Sequence, residues 1–125
     1  DPVPRRFDEL KAAAERGGRV VLVANSAAGY QERFPGYYRA WFRILQAWLA
    51  GVAPKAGIET WLVDQPIHAK AFSVDGVMAS VGSFNFHRTA VSWNLECSLV
   101  THDPATLRQV EEMFERDLAR ARQVK

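Results

Sequence analysis

The chain has 125 residues and a formal net charge of +2, which is the size of one domain and excludes the strongly basic composition of many nucleic-acid-binding proteins. Hydrophobic residues make up 48% of it and charged residues 24%, as in globular proteins with a real core. A single cysteine, Cys97, excludes an internal disulfide and any cysteine-based metal site, and its apolar neighbours predict a buried thiol. No metal or other cofactor is predicted. No apolar run reaches the roughly 20 residues of a membrane crossing, so we expect a protein that is cytoplasmic or peripheral to a membrane.

Helical and strand patterns follow one another along the chain. Apolar residues recur at helical spacing over 7–14 and stop at the glycine pair 17–18, and residues 19–24 then predict a buried strand. The clearest helix covers residues 37–51. Further strands are predicted at 58–63, 67–74, 77–81 and 95–101, the last of them buried, and a final helix begins near Pro104. The order predicts the α/β class, a mixed β-sheet flanked by helices, in a single domain over residues 1–125.

Two regions leave alternatives open. The helix over 37–51 carries a broad aromatic face, which we interpret as core, with a lipid-contacting surface as the alternative. Arg39 and Arg43 lie on its opposite side, where a solvated helix face is the simplest interpretation and contact with a headgroup or phosphate is the alternative. The polar C-terminal residues 119–125 are predicted to fray.

The segment from His68 to Glu96 combines the groups that phosphodiester chemistry needs. His68 and Lys70 would face the same side of a strand, because side chains alternate along it. A phosphodiester is a hindered anion, so a nucleophile that stays neutral near pH 7, such as imidazole, suits it. We therefore predict that His68 attacks phosphorus and that Lys70 and Asn85 stabilise the non-bridging oxygens.

Other residues of the segment are given supporting roles. Ser83 and the backbone at Gly82 would supply further phosphate donors. A nucleophilic imidazole must aim its lone pair at the substrate, and a carboxylate that accepts from the N–H of the other ring nitrogen achieves this. Glu96 is the candidate for that carboxylate. Asp75, followed by a glycine, is interpreted as a structural hairpin residue at the far end of the strand from His68.

The segment resembles the signature of the phospholipase D superfamily, His-x-Lys-x4-Asp-x6-Gly-Ser-x-Asn, known as the HKD motif. It is matched by His68, Lys70, Asp75, Gly82, Ser83 and Asn85, with Asn94 and Glu96 fitting the Asn-x-Glu that follows. The stretches HAKAFSVDG, GSFNF and FERDL make the chain most similar to the C-terminal half of bacterial cardiolipin synthase-like proteins.

This resemblance implies a phospholipase D-like half-domain that acts without metal as a phosphodiesterase or phosphatidyltransferase through a phosphohistidine. The partners it implies are a phospholipid, an alcohol acceptor and a membrane surface. Because members build one site from two motif copies, the single copy here leads us to expect a second half, supplied upstream in the same polypeptide or by a homodimer. The alternatives are a homodimeric nuclease acting on nucleic acid, and a non-catalytic half-domain that needs a partner half.

Overall fold

The computed structural model describes residues 6–28, 36–85 and 95–124. These residues form two units. One, the N-terminal unit, contains Phe7–Ile67 and the residues from Asp117 onward, and the other, the motif unit, contains His68–Arg116.

The N-terminal unit is built on a three-stranded mixed sheet. Its elements are α1 (Arg6–Glu15), β1 (Val20–Asn25), α2 (Gly36–Val52), a short 3₁₀ turn (Pro54–Ala56), β2 (Ile58–Val63) and β6 (Arg122–Val124). The central strand, β2, pairs in parallel with β1 and antiparallel with β6. Parallel pairing of β1 and β2 requires a crossover connection, which α2 provides. The α/β class with a mixed sheet and helices is therefore confirmed.

The core of the N-terminal unit contains one side of α2. Leu49 is 6% exposed, and Trp48 packs edge to face against Phe7 with ring centroids 4.7 Å apart. Ile58 and Leu62 of β2 are each 1% exposed. For Trp48 and Leu49 the core interpretation of the aromatic face is therefore confirmed. Among the described residues, no helix combines the length and the apolar character needed to span a bilayer.

The C-terminal end of the chain does not follow the prediction. Residues 122–124, expected to fray, form β6, and Leu62 is registered with Arg122. Arg120 just before this strand donates to Asp117 and to Gln65, each at 2.5 Å. Side-chain polarity predicted fraying here, but the backbone pairing with β2 holds this segment in place.

The motif unit is an antiparallel sheet with a helix. It comprises β3 (Lys70–Val74), β4 (Met78–Gly82), β5 (Ser98–Thr101) and most of α3 (Pro104–Ala119), with β4 between β3 and β5. The predicted hairpin between β3 and β4 is confirmed, since Asp75 and Gly76 both have positive φ, 51° and 66°. Two such residues in succession make a type I′ turn, whose twist matches that of the paired strands.

Burial in the motif unit corrects two expectations. The core contains Ala79 of β4 with Leu107 and Val110 of α3. By contrast, the predictions that β5 and Cys97 are buried are wrong: Leu99 is 68% exposed, and Cys97 is an exposed free thiol. The reason is that β5 pairs with β4 alone and forms an edge of this sheet, so its apolar residues lie open to solvent.

Helix α3 begins with a side-chain cap. The Asp103 carboxylate accepts hydrogen bonds from the hydroxyl and the backbone N–H of Thr106, at 2.7 and 2.8 Å. These bonds, led by the hydroxyl bond, lower the pKa of Asp103 below its ordinary value. A lowered folded-state pKa means that the stabilisation is present above the ordinary pKa of about 3.9 and is lost as pH falls through the lowered value.

We therefore expect Asp103→Ala to lower the urea midpoint at pH 7, whereas Asp103→Ser, which keeps a capping oxygen, preserves most of it. The gap between the wild type and Asp103→Ala should narrow as pH is lowered below about 4, because a protonated carboxyl is a poorer acceptor. Urea titrations followed by circular dichroism at several pH values measure this. A gap that stays constant down to pH 2 would contradict the role of the ionised cap.

Candidate active site

In the motif unit, the start of β3, the end of β4 and the start of β5 lie side by side at one end of the sheet. The register pairs Lys70 of β3 with Gly82 of β4, and Gly82 with Ser98 of β5. Lys70 begins β3, Gly82 ends β4 and Ser98 begins β5, so the residues beside these positions lie at the same end of the sheet. Strand pairing therefore brings Lys70, Ser83 and Glu96 to one end, although 26 positions separate the first from the last.

Ser83 and Glu96 are joined directly. The Ser83 hydroxyl donates to Glu96 Oε2 at 2.5 Å and accepts from the backbone N–H of Cys97 at 3.0 Å. The backbone N–H of Ser83 donates to the Cys97 carbonyl at 2.9 Å. These three bonds continue the β4–β5 pairing one residue beyond the ladder. The Ser83 N–H, next to the Gly82 backbone that was predicted to bind phosphate, is thus bonded to Cys97.

Lys70 lies close to both the nucleophile candidate and the carboxylate candidate. Its ammonium donates to the backbone carbonyl of His68 at 2.5 Å. Partial burial lowers the pKa of Lys70, and the Glu96 carboxylate acts in the opposite direction by favouring the charged form. The lysine is therefore electrostatically coupled to Glu96.

His68 itself precedes the strand. Strand β3 begins at Lys70, later than the predicted start at residue 67, so His68 lies in a segment without regular secondary structure, and it is exposed. The cause is Asn25, whose side-chain amide donates to the Ile67 carbonyl and accepts from the Ile67 N–H, both at 2.7 Å. The backbone N–H and carbonyl of Ile67 are thus hydrogen-bonded to the Asn25 side chain rather than to a neighbouring strand.

The other predicted residues fall in three places. Asn85 is half-buried, two residues beyond Ser83. Asp75 lies in the hairpin turn, at the opposite end of β3 from Lys70. Asn94 lies outside the described residues. Among the described residues, no three or more His, Cys, Asp or Glu side chains form a group able to hold a metal ion.

Two contributors were missed by the sequence analysis. Asn25 was given no role, and Cys97 was considered only for its thiol, whereas the backbone N–H and carbonyl of Cys97 both bond Ser83. An asparagine directly after a buried strand was the only local signal for the first. No local signal indicates the second, because it depends on the β4–β5 register.

Comparisons with known proteins agree with this architecture. The sequence model of the family described as cardiolipin synthase, PLD-like domain, matches residues 2–118. The crystal structure of Nuc from Salmonella typhimurium, a phospholipase D family member, matches with a TM-score of 0.73 and 25% sequence identity, covering 98% of this chain and 74% of that one. A search of curated proteins finds no match.

An α/β chain that brings Lys70, Ser83 and Glu96 of this segment to one sheet end has the features of a phospholipase D-like domain, and the predicted fold is confirmed at that level. The chain belongs to the phospholipase D superfamily, in the family of cardiolipin synthase PLD-like domains.

Steric crowding explains why the motif has a glycine at position 82. A Cβ placed on Gly82 would overlap the Cys97 carbonyl and the Ser98 backbone and side chain. We expect Gly82→Ala to lower the free energy of unfolding by about 1–3 kcal/mol, because backbone atoms have to move apart. Gly51→Ala is the matched control: nothing lies within 4 Å of its Cβ position, in the last turn of α2, so it should not lower the free energy of unfolding, since alanine has the higher helix propensity. Denaturant titrations measure both, and equal effects at the two sites would contradict the close approach of β4 and β5.

The electrostatic coupling of Lys70 and Glu96 is testable without an activity assay. NMR titration of the lysine side-chain signals, assigned with a Lys70→Arg variant, should give Lys70 a pKa below the ordinary 10.5. Glu96→Gln removes the group that favours the ammonium, so it should lower this pKa further. An unchanged or higher pKa in Glu96→Gln would show that the carboxylate does not act on Lys70.

Proposed function

We propose that the chain provides the nucleophilic half of an enzyme that transfers or hydrolyses phospholipid phosphodiesters, a phospholipase D-like phosphatidyltransferase of the cardiolipin synthase type. The observation that carries the proposal is the grouping of Lys70, Ser83 and Glu96 at one end of the motif sheet, beside His68. Membership in the family of cardiolipin synthase PLD-like domains supports a phospholipid as substrate.

The proposed reaction has two displacements. In the first, an imidazole nitrogen of His68 attacks phosphorus; the new P–N bond forms as the P–O bond to the leaving alcohol breaks, and that alcohol takes a proton from a general acid. In the second, an acceptor alcohol or water attacks the phosphohistidine; its P–O bond forms as P–N breaks, and its proton returns to the same acid–base group. Atoms and charge balance in both steps, and neither step calls for a metal ion.

The charged and amide side chains have defined roles in this scheme. The Lys70 ammonium and the Asn85 amide stabilise the charge that develops on the non-bridging oxygens. Glu96 accepts a hydrogen bond from the N–H of the other ring nitrogen of His68, which keeps the attacking nitrogen's lone pair toward phosphorus. The general acid comes from a second motif half, either in the same polypeptide or in a second copy of the chain.

Ser83 fits a positioning role for Glu96. A hydroxyl has one O–H to donate, and that of Ser83 goes to Glu96. Donation to phosphate, the role predicted from sequence, requires this bond to be exchanged, whereas holding the carboxylate in place requires no rearrangement. In the proposed scheme, Ser83 therefore holds Glu96, and phosphate binding rests on Lys70 and Asn85.

Trapping the intermediate tests the proposal. The protein, at concentrations at which it self-associates or together with its second half, is mixed with short-chain phosphatidylglycerol and quenched in alkali. We expect mass spectrometry to find a phosphatidyl adduct on the peptide containing His68, labile to acid and absent from His68→Asn. Turnover by His68→Asn should fall at least about a thousandfold, the scale seen when a nucleophile is removed.

His102→Asn is the control, because His102 is exposed and hydrogen-bonds the Val77 carbonyl near the hairpin end of the sheet. It should retain both the adduct and turnover. Turnover without any adduct on His68 would refute covalent catalysis by this residue. If the protein instead cleaves a single-stranded oligonucleotide and forms the adduct on His68, covalent catalysis by His68 is retained and the phospholipid is replaced by nucleic acid as the substrate.

A further inference from the structure

A charged cleft lies within the N-terminal unit and uses none of the motif residues. Its volume is about 350 Å³, and its lining includes four alanines, Ala27, Ala28, Ala47 and Ala50, which are together called its floor. Small-molecule sites typically begin near 300 Å³ and combine an apolar lining with a few polar groups. The cleft is therefore large enough for a small ligand with an apolar part.

Three elements form this cleft. Ala27 and Ala28 lie just beyond the carboxyl end of β1, after Ser26, and β1 is parallel to β2. The crevice beyond the carboxyl ends of parallel strands is where α/β folds commonly bind ligands. Helix α2 contributes one stripe of residues at helical spacing, and β6 contributes Arg122. The Gln46 side chain accepts from the Ala27 N–H at 2.7 Å, so the helix is bonded to the loop across the cleft floor.

The charges at the cleft favour an anion. Arg43 of α2 and Arg122 of β6 both line it. None of the ion pairs recorded between described residues includes Arg43. Arg122 lies 3.9 Å from Asp64, and that carboxylate also accepts from the Ser26 hydroxyl at 2.5 Å. The cleft lining thus contains two guanidinium groups and no carboxylate, and the carboxylate near Arg122 is already hydrogen-bonded to Ser26, so the lining carries a net positive charge.

We propose that this cleft binds a phosphate ester that carries an apolar group. Guanidinium groups bind phosphate through paired N–H donors, which is a better geometric match than a lysine offers. The alanine floor has no side-chain polar group, so it favours the apolar part of such a ligand over a fully hydrated anion. The site is separate in its residues from the proposed catalytic group, and the proposal stands whether or not His68 is a nucleophile.

Calorimetric titration of the full chain tests this inference, in a His68→Asn, Lys70→Gln background that removes the motif cation and nucleophile. The probes are dihexanoyl phosphatidylglycerol below its micelle concentration, and glycerol 3-phosphate, which has the phosphate without acyl chains. Arg43→Gln and Arg122→Gln should each weaken binding of the lipid about tenfold, the usual value of a charge-assisted hydrogen bond. Glycerol 3-phosphate should bind more weakly than the lipid.

Two variants control for charge and for folding. Arg16→Gln removes the same charge from an exposed residue outside the cleft and should leave affinity unchanged. Asp64→Asn keeps an acceptor for Ser26 while removing the competing carboxylate, so it should strengthen binding by a few-fold. Such a gain cannot come from unfolding. Equal affinities in Arg43→Gln, Arg122→Gln and Arg16→Gln, or equal binding of glycerol 3-phosphate and the lipid, would overturn the proposal.

Discussion

The hydrogen bond between the Ser83 hydroxyl and the Glu96 carboxylate is the interaction on which the candidate site depends. It lies just beyond the last paired residues of β4 and β5, where the Ser83 N–H donates to the Cys97 carbonyl and the Cys97 N–H donates to the Ser83 hydroxyl. These bonds form only if the two strands approach closely, and that approach leaves no room for a side chain at Gly82. The small residue of the motif thus has a structural function, which is to let the strand carrying Ser83 reach the segment carrying Glu96.

A second constraint acts on the other side of the motif. The Asn25 side chain satisfies both backbone groups of Ile67, so β3 starts only at Lys70. His68 is then held between a residue bonded to Asn25 and a lysine bonded to its own carbonyl. The side chain of His68, outside the strand ladder, is not limited to the alternating directions of strand side chains. The backbone on both sides of it is nevertheless hydrogen-bonded, which in the proposed mechanism suits a group that must meet a substrate in a defined orientation.

The electrostatics of the motif end follow from the same geometry. Partial burial disfavours the Lys70 ammonium, and the neighbouring Glu96 carboxylate favours it. In the proposed mechanism this carboxylate therefore has two effects: it orients the imidazole and keeps the phosphate-binding lysine charged. The Ser83 hydroxyl donates to that same carboxylate, which places all three side chains in one coupled group.

Local patterns were sufficient for much of this protein. The bounds of β2, the helices α1 to α3 and the Asp75–Gly76 hairpin follow from periodicity and turn chemistry, which act over a few residues. The order and type of the motif residues likewise predicted the superfamily, which is confirmed, and supplied the candidate groups for the proposed phosphodiester chemistry. What the sequence could not supply was the set of contacts. Asn25 bonds a residue 42 positions away, β5 and Cys97 are exposed because β5 is an edge strand, and β6 forms because β2 offers a free side. Strand order and register are decided by tertiary packing, because they join segments whose local patterns carry no information about their partners.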